Sequence, residues 1–147
     1  MDKCEFCKRI ISNGKDTVIE ENDHAIAYAG DYYREGHCSI ILKRHITSIS
    51  ELHATEFNDL FSLVTKISTA LEIKYDAGKT YLLAIGDKVE HVHFHLIPKH
   101  KDKCSMGVYC FGSLFESEGE RKPTREEQVM LRNEIQKILT SLWKMPQ

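Results

Sequence analysis

The sequence predicts an α+β protein: an antiparallel sheet of about five strands, a helix packed on it, and a second helix near the C-terminal end. Three observations carry this. Short apolar or alternating segments are separated by turn clusters such as Ser12-Asn13-Gly14-Lys15-Asp16 and Glu21-Asn22-Asp23. Phe57, Leu60, Phe61, Val64, Ile67 and Leu71 recur at helical spacing. Met130, Leu131, Ile135, Ile138, Leu139 and Leu142 do so again after residue 123.

The elements follow in order. Cys4-Glu5-Phe6-Cys7 reads as a tight knuckle. Residues 17–20 and 24–28 read as two strands joined closely enough for an antiparallel hairpin. Residues 29–36 form a loop with Asp31, two tyrosines and Arg34. Residues 37–43, apolar at their centre, are a third and buried strand. Ser48 to Glu51 resembles a capping box, and Thr55 is another candidate cap. The helix that follows is expected to run about four turns to Tyr75, with Gly78 reversing the chain. Residues 80–85 make a fourth strand. Gly86-Asp87-Lys88 turns it into a fifth, which Pro98 ends. Thr124, with Glu127 three residues on, starts a helix over about 124–143.

A chain of 147 residues and 17.0 kDa is expected to form one domain over 1–147. A net charge of −2 gives no broad electrostatic footprint for nucleic acid or membrane. No apolar run approaches the ~18–20 residues of a bilayer span, and the first residues are polar. A cytoplasmic location is expected. Five cysteines in a reducing compartment argue for metal or redox chemistry at Cys4 and Cys7, not a disulfide framework. Zinc would need two further ligands. A redox C-x-x-C usually follows a strand, and two unconnected cysteines remain a third reading.

The chemistry concentrates in Glu90-His91-Val92-His93-Phe94-His95-Leu96-Ile97-Pro98. Strict alternation puts His91, His93 and His95 on one strand face and Val92, Phe94 and Leu96 on the other. Adjacent imidazoles then stand roughly 6–7 Å apart. One zinc at ~2.0–2.1 Å from each nitrogen is hard to reach at that spacing, so phosphate chemistry is favoured over a three-histidine metal site. A neutral imidazole, with an ordinary pKa near ~6.5, can attack phosphorus and carry the transferred group covalently. Its neighbours can donate to the oxygens where charge develops.

His91-Val92-His93-Phe94-His95-Leu96-Ile97 resembles the defining motif of the histidine triad (HIT) family. Cys4-Glu5-Phe6-Cys7-Lys8, Gly36-His37 followed by Ile40-Ile41, and Lys43-Arg44-His45-Ile46 resemble further family elements in the family's order. The resemblance covers about residues 4–100. It implies an antiparallel sheet with a packed helix, usually in a symmetric homodimer. It implies hydrolysis or transfer at the α-phosphate of dinucleoside polyphosphates, nucleoside phosphoramidates or adenylylated molecules. His93 would be the nucleophile and His95 a phosphate contact. Cys4, Cys7, His45 and His91 would hold a structural zinc ion. Phe6 would line the base pocket, and Asp31 is a shifted candidate for the ribose contact.

Gly86-Asp87-Lys88 stands where the family usually carries Gly-Gln-Ser, so Lys88 is the candidate phosphate contact there. Leu42 replaces a usual proline. A second reading follows from these departures: a zinc-stabilised nucleotide-binding or interaction protein with weak or no catalysis. A third, processing of nucleic-acid ends, is disfavoured by the lack of a basic extension. No nucleic-acid or membrane partner is expected.

Overall fold

The structure, a computed structural model, describes residues 4–12, 14–30, 35–101 and 123–143. Five strands form one antiparallel sheet: β1 (Val18–Glu21), β2 (Ala25–Ala29), β3 (Cys38–Leu42), β4 (Thr80–Leu83) and β5 (His93–Pro98), in the order β1-β2-β3-β5-β4. The helices are α1 (Glu5–Ile11), α2 (Ala54–Tyr75) and α3 (Arg125–Trp143). The chain leaves β3, runs through α2, and returns at the sheet edge as β4. β5 then inserts between β3 and β4.

Side-chain parity divides the sheet into two faces. Ala25, Ala27, Ala29, Cys38, Ile40, Leu42, Phe94 and Leu96 point to one face. There they join Leu60, Leu63, Ile67 and Leu71 of α2 and Leu131, Ile135 and Leu139 of α3 in the main core. Ile26, Tyr28 and Ile41 point the other way, under Phe6 and Ile10 of α1. Because Ile41 pairs with His93 and Ser39 with His95, those two histidines share the α1 face.

Several expectations need correction. Cys4-Glu5-Phe6-Cys7 is not a knuckle: Cys4 is the N-cap of α1 and Cys7 lies within the helix. Isolated helices this short are marginal in water, and α1 buries none of its residues, so local pattern cannot announce it. The first strand starts at Val18, because Lys15–Thr17 form a 3₁₀ turn. The helix α2 has 22 residues, more than four turns. Its N-cap is His53 and not Thr55, while the Ser48–Glu51 box closes a separate 3₁₀ turn. The chain reversal after α2 falls on Asp76, at φ 47° and ψ 41°, and not on Gly78. A short polar side chain tolerates that left-handed conformation. Phe57, Met130 and Leu142, expected on apolar helix faces, are exposed. The Thr124–Glu127 capping box at α3 is formed, with Thr124 N–H donating to Glu127 and Glu127 N–H to Thr124 Oγ1.

Gly36 lies just before β3 at φ +83°, and a Cβ there would stand 2.5 Å from Tyr75 and 2.7 Å from Pro98. Both the backbone and the space exclude a side chain. Gly36→Ala is expected to cost roughly 2–4 kcal/mol, read as a lowered urea midpoint.

Candidate functional site

The site is assembled on the α1 face, where β5 begins. His91 lies just ahead of β5, its N–H donating to Val89 O at 2.8 Å. The Val92 N–H donates to Ile46 O at 2.9 Å, which brings the segment after β3 alongside. His45 and His91 therefore meet, Nδ1 to Nδ1, at 3.2 Å. From α1, Cys4 Sγ stands 3.4 Å from His91 Nδ1, and Cys7 Sγ 3.4 Å from His45 Nδ1 and 3.6 Å from His91 Nδ1. All four ligand atoms lie within 4.8 Å of one another. A tetrahedron with Zn–S of ~2.3 Å and Zn–N of ~2.0–2.1 Å has edges of roughly 3.3–3.8 Å, so the observed spacings suit one such ion.

Proton positions agree with that use. His91 Nε2–H donates to Leu42 O at 2.7 Å, which leaves the Nδ1 lone pair facing the thiols. Burial lowers the His91 pKa and holds the ring neutral, against the smaller opposing effect of the Leu42 carbonyl. Burial, then Cys4, pushes the Cys7 thiol up. A dication would reverse that shift, since coordination requires thiolate.

His37, His95 and His93 form a chain. A carbonyl only accepts, so His93 Nδ1–H donates to His91 O at 2.6 Å. His93 Nε2 thus carries the lone pair. It faces His95 Nε2 at 3.0 Å, and His95 Nδ1 stands 3.0 Å from His37 Nε2. One set of neutral tautomers satisfies these three contacts: His37 Nε2–H donates to His95 Nδ1, and His95 Nε2–H to His93 Nε2. The Phe6 ring packs edge-on against His93, with centroids 4.6 Å apart.

Of the expected site residues, Cys4, Cys7, His45 and His91 converge in one cluster, and Phe6, His93 and His95 in the adjoining one. Lys88 does not join them. It is exposed in the segment between β4 and β5, with no hydrogen bond or ion pair to the described residues. That connection spans residues 84–92 and is longer than the short turn expected. Asp31 lies outside the described residues. Nothing local in the sequence marks His37 as a site residue. Only the pairing of Ser39 with His95 brings it beside the triad, and pairing is invisible to a linear reading.

A charged clamp ties the segment after β3 to the start of α2. Arg44 Nε and Nη2 donate to Glu56 Oε1 and Oε2 at 2.6 and 2.8 Å, while His53 N–H donates to Glu56 Oε2 at 2.9 Å. Arg44, and then the His53 amide, hold the Glu56 carboxyl at about 2 against an ordinary 4.5. A depressed carboxylate pKa gives stability that is present above pH ~4.5 and is lost as pH falls toward 2. Arg44 is partly exposed, which limits the contribution. Glu56→Gln is expected to cost about 1–2 kcal/mol at pH 7, with the gap to wild type closing near pH 2–3 in urea titrations.

No helix among the described residues is long and apolar enough to cross a membrane. A family model described as the HIT domain matches residues 12–102. The chain is 27% identical over 126 residues to an asymmetrical bis(5'-nucleosyl)-tetraphosphatase of Schizosaccharomyces pombe, covering 71% of this chain and 69% of that one. It is 28% identical over 107 residues to an adenosine 5'-monophosphoramidase of the same organism, covering 71% and 80%. A zinc-bound histidine triad family protein from Mycobacterium smegmatis superposes with a TM-score of 0.69 at 19% identity, covering 95% of this chain and 98% of that one. The family match spans more than half of the sequence, and the chain belongs to the HIT-domain family.

Proposed function

We propose that this protein is a nucleotide hydrolase or transferase that cleaves at the α-phosphate of a nucleotide conjugate, a dinucleoside polyphosphate or a nucleoside phosphoramidate, through a covalent nucleotidyl-His93. The observation that carries this is the tautomer of His93. The His91 carbonyl takes its Nδ1–H, so Nε2 keeps the lone pair, which faces His95 Nε2. As substrate enters, His95 Nε2–H turns from that lone pair to a non-bridging phosphate oxygen, where charge develops. The Nε2–P bond forms as the P–O or P–N bond to the leaving group breaks. A nucleoside polyphosphate departs as its anion, and an amine leaves after taking a proton from solvent water. Water, or another hydroxyl acceptor, then attacks phosphorus and gives up its proton to solvent, the Nε2–P bond breaks, and the lone pair returns to His93. His37 holds the His95 ring in the tautomer this requires.

Cys4, Cys7, His45 and His91 would hold a zinc ion, which would tie α1 to the start of β5. The fit of the donor spacing supports this. Homodimerisation is proposed through β4, an edge strand with Leu82 and the following Ile85 exposed. Light scattering is expected to give twice the 17.0 kDa chain mass; the chain mass alone would reject it.

The test is incubation with adenosine phosphoramidate and diadenosine polyphosphates, followed by mass spectrometry of the acid-quenched protein. An added nucleotidyl group mapping to His93 supports the proposal. Turnover with the adduct elsewhere rejects the mechanism. Nucleotide binding without turnover across the panel favours the non-catalytic reading, which the exposed position of Lys88 also supports.

A further inference from the structure

One stripe of α3 is polar although it reaches the sheet. Gln128, Arg132 and Gln136 recur at every fourth residue, so they share one helix face. Each gives an N–H to a backbone carbonyl. Gln136 Nε2–H donates to Ile19 O at 2.7 Å and Arg132 Nε–H to Val18 O at 3.2 Å, both on the edge strand β1. Gln128 Nε2–H donates at 2.5 Å to Gly30 O, just past the end of β2. The Gly30 contact leads to the histidines. Gly30 N–H donates to His37 O at 2.8 Å, one residue beyond the Ala29–Cys38 pair of the β2–β3 ladder. His37 is buried, and its Nε2–H donates to His95 Nδ1 at 3.0 Å. Gly30 sits at φ +70°, and a Cβ there would stand 2.9 Å from Gln128 Cγ. A glycine has the widest backbone freedom, so the direction of its carbonyl is set from outside. Gln128 sets it. On the other flank, His37 follows Gly36, which is wedged between Tyr75 and Pro98. There His100 Nε2–H donates to Glu35 O at 2.9 Å. The His37 backbone is held from both sides, and Gln128 supplies one of them.

We propose that Gln128 is a positioning residue of the histidine site: it fixes Gly30, Gly30 fixes the His37 backbone, and His37 then presents Nε2–H to His95. The inference rests on the hydrolase or transferase reading of that site. Gln128 acts through the backbone alone, and no proton moves along this path. A hydrogen bond weakens steeply once its distance and angle leave their optimum. A shift of about 1 Å at His37 breaks the 3.0 Å contact and frees the His95 ring to take the other tautomer. His95 then meets the phosphate with a lone pair in place of an N–H, and the charge developing there loses a donor. Arg132 and Gln136 make the same kind of contact, but to β1, which β2 separates from β3. They register α3 without reaching the site.

The experiment compares wild type with Gln128→Ala, Gln128→Glu and Gln136→Ala, each as the full chain with its melting temperature recorded. Turnover of adenosine phosphoramidate and diadenosine polyphosphates gives kcat and KM, and nitrogen-15 NMR of the imidazoles gives the tautomers. In Gln128→Ala, kcat is expected to fall about tenfold with KM within about twofold, and the His37 Nε2–H signal to be lost. Gln128→Glu keeps the shape, has no N–H to give at neutral pH, and is expected to do the same. Gln136→Ala removes a matched contact. It is expected to lower the melting temperature comparably while kcat and the His37 signal stay as in wild type. A kcat within about twofold of wild type in Gln128→Ala overturns the assignment. So does an equal loss of kcat in Gln136→Ala, which would mean that the stripe acts only through stability. If wild type turns nothing over, the hydrolase or transferase reading falls and takes the kinetic role with it. The NMR arm needs no turnover: a His37 signal that persists in Gln128→Ala overturns the Gln128 assignment by itself.

Discussion

Replacing His93 by Asn is expected to lower turnover of nucleotide conjugates by at least ~10³-fold and to abolish the nucleotidyl adduct, with the melting temperature moving by only a few degrees. Asn has an amide N–H for the His91 carbonyl but no nitrogen lone pair that can attack phosphorus. The loss therefore falls on the chemical step. Nucleotide binding, read by calorimetry, is expected to fall far less than kcat. Turnover by the Asn variant within tenfold of wild type would reject His93 as the nucleophile. His37→Ala is a milder companion: it leaves His95 Nδ1 without its donor and is expected to lower kcat more than it raises KM.

Removing the metal or a ligand to it is expected to have the other large effect. Elemental analysis of reduced protein is expected to find about one zinc per chain. Cys7→Ser is expected to lose the metal and at least ~3 kcal/mol of stability, roughly 6–12 °C in Tm. The helix α1 buries none of its residues, and beyond Phe6, Ile10 and Arg9 little anchors it to the sheet. Hydrogen exchange is expected to show α1 amides losing protection on chelation while β3 and the centre of α2 keep theirs. Phe6 would then leave His93, so the melted helix would also open the cleft wall. Reduced protein with no metal and an undiminished Tm in Cys7→Ser would show that side-chain packing alone holds α1.

Much of the architecture was legible because each large element carries a periodic signal. The alternation in residues 91–97 and the helical spacing in α2 and α3 are consequences of burying one face, and burial leaves its mark on composition. The order of the strands was not legible. The insertion of β5 between β3 and β4 places Ser39 beside His95 and so brings His37 to the triad, through contacts 58 residues apart in sequence. The short helix α1 escaped for the opposite reason. Its conformation is set by what it touches, and a seven-residue segment has too little internal cooperativity to show a pattern. Asp76 shows the same limit at one residue: either Asp76 or Gly78 offers a chain reversal by residue type, and the structure takes the left-handed conformation at Asp76.

What the sequence determined by itself was the inventory: three imidazoles at alternating positions, two of them on β5 and His91 just ahead of it, a C-x-x-C, and enough periodic apolar surface for a sheet with two helices. Residue types and their spacing are local properties, so a linear reading reaches them. What only the tertiary structure decided was how these residues meet: which nitrogen of His93 holds the lone pair, which histidines face the thiols, and that Arg9 lies over the Tyr28 ring. Those outcomes depend on partners brought together by strand register and helix docking, and a proton goes to whichever nitrogen the assembled fold gives an acceptor.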